Sequence, residues 1–254
     1  MASKISNSFF SKRRIKKYLK FSKIFHSEIY ERGIEGAMFL SIQNLKTLGY
    51  YPAVIIDVGA YVGNWTREVV RIFPNSQFLM IEAQSSKENE LKKIISDFGQ
   101  TSIDYQISLV GSVNDDNVSF YEMETGSSVY REKTSYPREE KFLSMCTLDS
   151  LVQSRNYIGS IFLKLDVQGY ELEVLKGCRS LISRVDFILL EVSLIEYNEG
   201  APLMGEVIPK MSELGFVVFD ITDFRRKTQE KLLFQIDILF CRADHKLRQV
   251  RDFT

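Results

Sequence analysis

Histidine, cysteine, proline and tryptophan are all scarce in this chain of 254 residues, with two His, three Cys, five Pro and one Trp. The cysteines, Cys146, Cys178 and Cys241, lie far apart and form no CxxC. That argues against a disulfide scaffold and a zinc site, and fits a reducing compartment, the cytoplasm. The two histidines, His26 and His245, lie in the N-terminal segment and the tail, so imidazole is a poor candidate for acid–base work. Few prolines beside 14 glycines leave no sign of a long linker. There is no run of about 18 apolar residues, so no membrane span is predicted. No G-x-x-x-x-G-K-[ST] occurs, which excludes a P-loop nucleotidase. What remains is 44% hydrophobic and 26% charged, an ordinary globular composition for one large domain or two small ones.

Net charge is also absent, with 33 basic and 33 acidic residues, but the two signs are separated. Residues 1–27 hold eight basic residues and no acid, leaving 25 basic against 33 acidic in the remainder. The basic arm lacks the apolar stretch of a secretory signal. Ile15, Tyr18, Leu19 and Ser22 fall at helical spacing, which predicts a basic amphipathic helix. Such a helix suits an anionic membrane surface, nucleic acid or a phosphorylated substrate. It equally suits a solvated helix packed on the body or on the partner of a homodimer. The organisation read here is a basic helical extension over 1–50 and a main domain over 51–254.

Within that domain apolar strands and amphipathic helices alternate. Residues 27–48 read as a helix ended by Gly49 and Pro52. Strands are predicted at 53–57, 77–83, 102–110, 117–122, 161–166, 185–192, 216–221 and 232–240. Helices are predicted at 63–73, 85–98, 148–154, 171–181 and 203–214, with Thr147 as a cap and Gly177 as a breaker. Residues 123–141 are polar and without period, the mark of a lid or binding loop. The alternation predicts a parallel α/β sheet with helices on both faces. The last strand follows its predecessor with no helix between, so it should enter antiparallel.

The first motif is Asp57-Val-Gly59-Ala-Tyr61-Val-Gly63, at the first strand-to-helix turn, where nucleotides sit in doubly wound sheets. Gly59 permits close approach of a ligand to the backbone. Gly63 permits close helix–strand packing. Asp57 either accepts bonds from an amine or orders the turn. A pyrophosphate fingerprint would have glycine where Tyr61 stands, so NAD and FAD are disfavoured and a nucleoside cofactor without a phosphate fits better. Glu82 ends the second strand, where an acid can accept both hydroxyls of a ribose.

These segments resemble the FkbM family of S-adenosylmethionine-dependent methyltransferases. The matching stretches are IIDVGAYVGNWT (55–66), FLMIEAQ (78–84), ISLVGS (107–112), TLDSL (147–151), LKLDVQGYELEVLKG (163–177) and FILLEVS (187–193). The resemblance implies a Rossmann-like class I methyltransferase fold with a mostly parallel seven-stranded sheet, the last strand antiparallel. It implies S-adenosylmethionine as methyl donor and an oxygen acceptor on a sugar, glycan or secondary metabolite. By position, Asp57, Gly59, Ala60, Tyr61 and Gly63 would line the methionine end. Glu82, with Ala83 beside it, would hold the ribose, and Ser108 would lie near the adenine. The chain departs from the family's pattern at Tyr61, where Asn is usual, at Gln84, where Pro is frequent, and at Gln168, where Glu is common.

Asp166 ends one strand and Glu191 lies near the end of the next, so both should face the ligand crevice. Lys164 shares a strand face with Asp166. Methyl transfer to a hydroxyl needs alignment and removal of a proton. With histidine absent from the motifs, Asp166 is the first candidate base, with Glu191 and Lys164 as catalytic companions. Glu191 has an alternative role as the ion-pair partner of Lys164. A divalent metal on Asp166 and Glu191 is the less favoured option, because no third ligand is evident. The resemblance implies that the irregular segment, with Ser127, Ser128 and Tyr130, lies near the acceptor.

The leading reading is an O-methyltransferase acting on a small molecule or glycan. An RNA methyltransferase gripping phosphates with its basic arm is disfavoured by the acidic body. A non-catalytic module that has lost the cofactor stays open because of Tyr61.

Overall fold

The computed structural model describes residues 36–99, 102–227 and 231–249. The basic arm, the amphipathic helix predicted for it and His26 lie outside them. The described chain begins with α1 (Ala37–Thr47), β1 (Val54–Val58), α2 (Asn64–Ile72), β2 (Gln77–Glu82), α3 (Glu88–Phe98) and β3 (Ile103–Ile107). There follow β4 (Leu109–Gly111), β5 (Asp115–Glu122), β6 (Glu139–Thr147) and α4 (Leu148–Val152). The chain continues with β7 (Ile161–Leu165), α5 (Glu171–Lys176), β8 (Val185–Ser193), α6 (Met204–Glu213), β9 (Phe216–Arg226) and β10 (Leu233–Arg242).

The main sheet has seven strands in the order β3-β2-β1-β7-β8-β10-β9. The pairs from β3 to β8 are parallel, and β10 runs antiparallel to both β8 and β9. This is the predicted Rossmann-like class I architecture, read directly from strand order and direction. Every residue of β1 and of β7 is buried, because each lies under helices on both faces. One core packs Ile56, Leu163 and Leu190 against α4, α5 and α6 through Leu148, Val174 and Met211. The other packs Ile55, Phe162 and Leu189 against α1, α2 and α3 through Ile42, Val69 and Leu91. Ile42 and Leu45 of α1 are fully buried, so this helix is part of the sheet domain's core. The pairing of β9 with β10 is interrupted by three register shifts.

Two local expectations need correction. Residues 123–141 are not irregular to their end, because Glu139 opens β6. That strand pairs with β4 in parallel and β5 in antiparallel to form a second, three-stranded sheet. Helix α3 begins with a 3-10 turn at Ser85–Lys87, and no side chain caps it. Thr147 does cap α4, accepting a bond from the Ser150 amide at 3.1 Å. Among the described residues no helix is long and apolar enough to cross a membrane.

Candidate functional site

Strand order reverses between β1 and β7, and a cavity of about 550 Å³ opens beyond their carboxyl ends. Such switch points are where open α/β sheets bind ligands. The floor is set by a contact between main chains. Gly59 has φ +74°, and a Cβ there would lie 1.9 Å from the carbonyl oxygen of Asp166. Only glycine lets the turn after β1 touch the turn after β7. Amides of Gly59 and Ala60 donate to the Ile81 carbonyl at 2.9 and 3.0 Å, which fixes this turn beside β2.

Glu82 closes the floor on the other side and is 5% exposed. One carboxylate oxygen accepts the Tyr61 amide at 2.7 Å, the other the Gln84 amide at 2.9 Å. Burial pushes this carboxyl up, against the pull of those two bonds. Ala83, Ser108 and Leu109 continue the wall, and Phe120 of the small sheet faces them. Gly59, Ala60, Tyr61, Glu82, Ala83 and Ser108 therefore meet at one cavity.

Asp57 and Gly63 do not. The Asp57 side chain is 1% exposed, and its oxygens accept Thr66 Oγ1 at 2.7 Å and Lys164 Nζ at 2.8 Å. It orders the turn and offers nothing to a ligand. Gly63 caps α2 with φ +76°, and a Cβ there would press on Ile94 and Met80. Its role is packing, as the motif itself suggested.

The second group divides in the same way. Asp166 lies on the cavity wall, with Lys164 Nζ 3.7 Å from one oxygen. Burial raises its carboxyl, but Lys164 and Arg225 outweigh burial and hold it below the usual range. Lys164 is buried and bonds to Asp57, which together with Asp166 keeps its ammonium charged despite desolvation. Glu191 is 6% exposed and is not on the wall. Its partners are the Gln168 amide at 3.0 Å and the Tyr197 hydroxyl at 3.1 Å, not Lys164. Burial first, then the charge of Asp166, push its carboxyl well above the usual range. Off the wall and bonded to Gln168 and Tyr197, Glu191 has no access to a substrate and is not a second base. Among the described residues no three His, Cys, Asp or Glu side chains are arranged to hold a metal ion.

Sequence reasoning missed the hairpin wall. Asp223 and Arg225 of β9 and Asp237 of β10 face the cavity. Asp237 stands directly opposite both Glu191 and Asp223. An acid between Ile236 and Ile238 in a mostly apolar strand was the available signal. Ser127 and Ser128 line the cavity, whereas Tyr130 packs edge-on against Tyr170 with centroids 5.4 Å apart.

Two departures from the family's pattern meet at one residue. Tyr61 has φ +51°, a left-handed conformation easier for Asn than for Tyr. Its hydroxyl donates to the Glu124 carboxylate. Gln84 Nε2 donates to the Glu124 carbonyl at 3.0 Å, and Lys87 Nζ pairs with the carboxylate at 2.7 Å. Glu124 thus fastens the segment after β5 over the cavity. Because its carboxylate is exposed, Glu124→Ala should leave the melting temperature almost unchanged. Tryptic cleavage at Arg131 or Lys133 should accelerate several-fold; unchanged cleavage would mean the clasp carries no part of the segment's order.

Among curated proteins, none matches the chain in sequence. Solved structures with a similar chain path include precorrin-6y C5,15-methyltransferase from Geobacter metallireducens GS-15. It is 12% identical over 79% of this chain and 85% of that one, with a TM-score of 0.45. Magnesium protoporphyrin IX methyltransferase from Synechocystis PCC 6803 is 8% identical over 94% and 100% of the two chains, with a TM-score of 0.46. TrmK from M. capricolum is 9% identical over 80% and 68%, with a TM-score of 0.44. These likenesses say nothing of substrate. The model of the methyltransferase FkbM domain matches residues 57–218, from the first cavity turn to the start of β9. On that match, the chain belongs to the FkbM methyltransferase family.

Proposed function

We propose that this protein is an S-adenosylmethionine-dependent O-methyltransferase whose acceptor is a hydroxyl on a sugar, glycan or secondary metabolite. The observation that carries the donor reading is Glu82, a buried carboxylate held by two main-chain amides at the switch point. It would accept the ribose hydroxyls through its remaining lone pairs. The Gly59 cradle would take the methionine end, and the wall at Ser108, Leu109 and Phe120 the adenine. A cavity of about 550 Å³ falls within the ~300–1,000 Å³ typical of small-molecule sites.

When bound, S-adenosylmethionine supplies a methyl group that is already activated. The chain's own residues then have two tasks, alignment and proton removal. Asp166 would accept the hydroxyl proton on Oδ2, the oxygen not bonded to Gln168. It is ionised at neutral pH, so it is ready to accept, and Lys164 stays charged beside it to steady the negative carboxylate.

Trp65 lines the cavity and is the chain's single tryptophan, so its fluorescence reports binding there. Titration with S-adenosylmethionine should change that signal, and titration with NAD should not. Glu82→Gln should weaken binding by about 10–100-fold, since hydrogen bonds to a charged group are worth ~1.5–3 kcal/mol. If wild type gives no calorimetric heat and no fluorescence change with S-adenosylmethionine while remaining folded, the donor reading fails.

A further inference from the structure

Gln168 ties several segments around the cavity together. It follows Asp166 by two residues and has φ +55°, a left-handed backbone. Its carbonyl accepts Ser128 Oγ at 2.9 Å and Asn198 Nδ2 at 2.7 Å. Its side-chain nitrogen donates to Asp166 Oδ1 at 3.1 Å and to Glu191 Oε2 at 3.0 Å. Its side-chain oxygen accepts the Tyr197 hydroxyl at 3.4 Å. An amide NH₂ has two protons to give, one for each carboxyl group. The reverse orientation would turn a carbonyl oxygen toward two carboxyl groups, so the network fixes which way the amide lies.

We propose that Gln168 is a positioning residue: its side-chain amide donates to Asp166 and Glu191 together, favouring the charged form of the Asp166 carboxyl and keeping it turned to the cavity. The functional meaning rests on the reading of Asp166 as proton acceptor; the bridge itself does not. Two carboxyl groups this close do not both ionise easily, and their protons come off in separate steps. Burial of Glu191 and the positive charges of Lys164 and Arg225 beside Asp166 favour the proton on Glu191. The other charged groups facing Asp166 are Lys164 on β7, Arg225 on β9, and Asp237 on β10, with Asp223 on β9 beside Arg225 and Glu171 at the start of α5. The Gln168 amide donates to both members of the pair at once. A carboxylate at position 168 would instead place three acids together.

The test follows the Asp166 side-chain carboxyl carbon by ¹³C NMR over a pH series, in the full chain without cofactor. Gln168→Ala removes a donor and should raise the Asp166 midpoint by about one pH unit. Gln168→Glu adds a like charge and should raise it further. Asn198→Ala loosens the same loop through the Gln168 carbonyl and leaves the amide in place, so it should leave the midpoint unchanged. That order, wild type equal to Asn198→Ala, then Gln168→Ala, then Gln168→Glu, is the expected result. Equal midpoints in all four proteins, or a shift in Asn198→Ala as large as in Gln168→Ala, overturns the proposal. If Gln168→Ala does not fold, the near-isosteric Gln168→Glu against Asn198→Ala decides it. Calorimetry of wild type with S-adenosylhomocysteine, run alongside, reports separately on the donor reading. Absence of heat sinks that reading and leaves the titration result standing.

Discussion

Replacing Lys164 by Met is expected to destabilise the protein by about 3–5 kcal/mol, the cost of breaking a buried ion pair from one side. Lys164 is 5% exposed, and its ammonium lies 2.8 Å from Asp57 and 3.3 Å from the Gly59 carbonyl. Without it, the Asp57 carboxylate keeps only the Thr66 hydroxyl and cannot reach water. For a chain of this size, that loss lowers the melting temperature by about 6–20 °C. The same physics predicts rescue. Adding Asp57→Leu to Lys164→Met should recover much of the stability, because a buried pair exchanged whole for apolar groups is close to neutral. Differential scanning calorimetry of the two variants checks both statements. A Lys164→Met protein that melts within a degree or so of wild type would show that the pair is not buried as described. Asp57→Ala, by the same argument, is a poor probe of cofactor binding, because it strands Lys164 and disturbs the fold first.

Stability should fall as pH rises from about 5 to about 8, the reverse of the common pattern for acid-sensitive proteins. Burial pushes Glu171 and Asp237 each up to about 7, and Glu191 well above its ordinary value. A carboxyl raised in the folded state binds its proton more tightly there than in the unfolded chain. Between the two values the folded state therefore holds more protons, and raising the pH works against it. The stability is fully present below about pH 4 and is lost as pH climbs through 7. Each group contributes on the order of 1.4 kcal/mol per unit of pH within its window. His245, held below its usual value chiefly by burial, works in the opposite direction over a narrower span. Denaturant midpoints at pH 5.5 and 8.5 measure the sum, and Glu171→Gln with Asp237→Asn should flatten it. A midpoint that rises toward pH 8.5 in wild type contradicts the burial of these acids.

The parallel core was legible because β1, β7 and β8 are short apolar runs between helices with clear period, and such runs have few other places to go. The antiparallel hairpin was legible from the missing helix between β9 and β10. The second sheet was not. Glu139–Thr147 places Lys141, Leu143 and Met145 on one side but Phe142 and Ser144 on the other, so neither face is plainly apolar. It pairs with Leu109–Gly111, more than thirty residues away, which no local pattern announces. At the site, the turn glycines and Glu82 could be placed because strand ends dictate where those residues point. Asp57 could not be assigned from spacing alone, since a carboxylate at a strand end serves a ligand or a buried lysine equally well. Asp223 and Arg225 escaped notice because the predicted strand stopped at Ile221, whereas β9 runs on to Arg226.

The three register shifts between β9 and β10 also bear on what the sheet cannot do. β9 is its outer strand, eleven residues long, with Val218 and Ile221 turned to solvent. A flat edge of that length and character invites a strand from another molecule. Irregularities increase local twist and bend the ladder. The opposite edge is guarded differently, by the brevity of β3 and by Arg155 pairing with Asp104 across its face. Self-association through continuous strands is thereby discouraged at both ends, and the exposed branched side chains of β9 can stay in water without seeding fibrous growth.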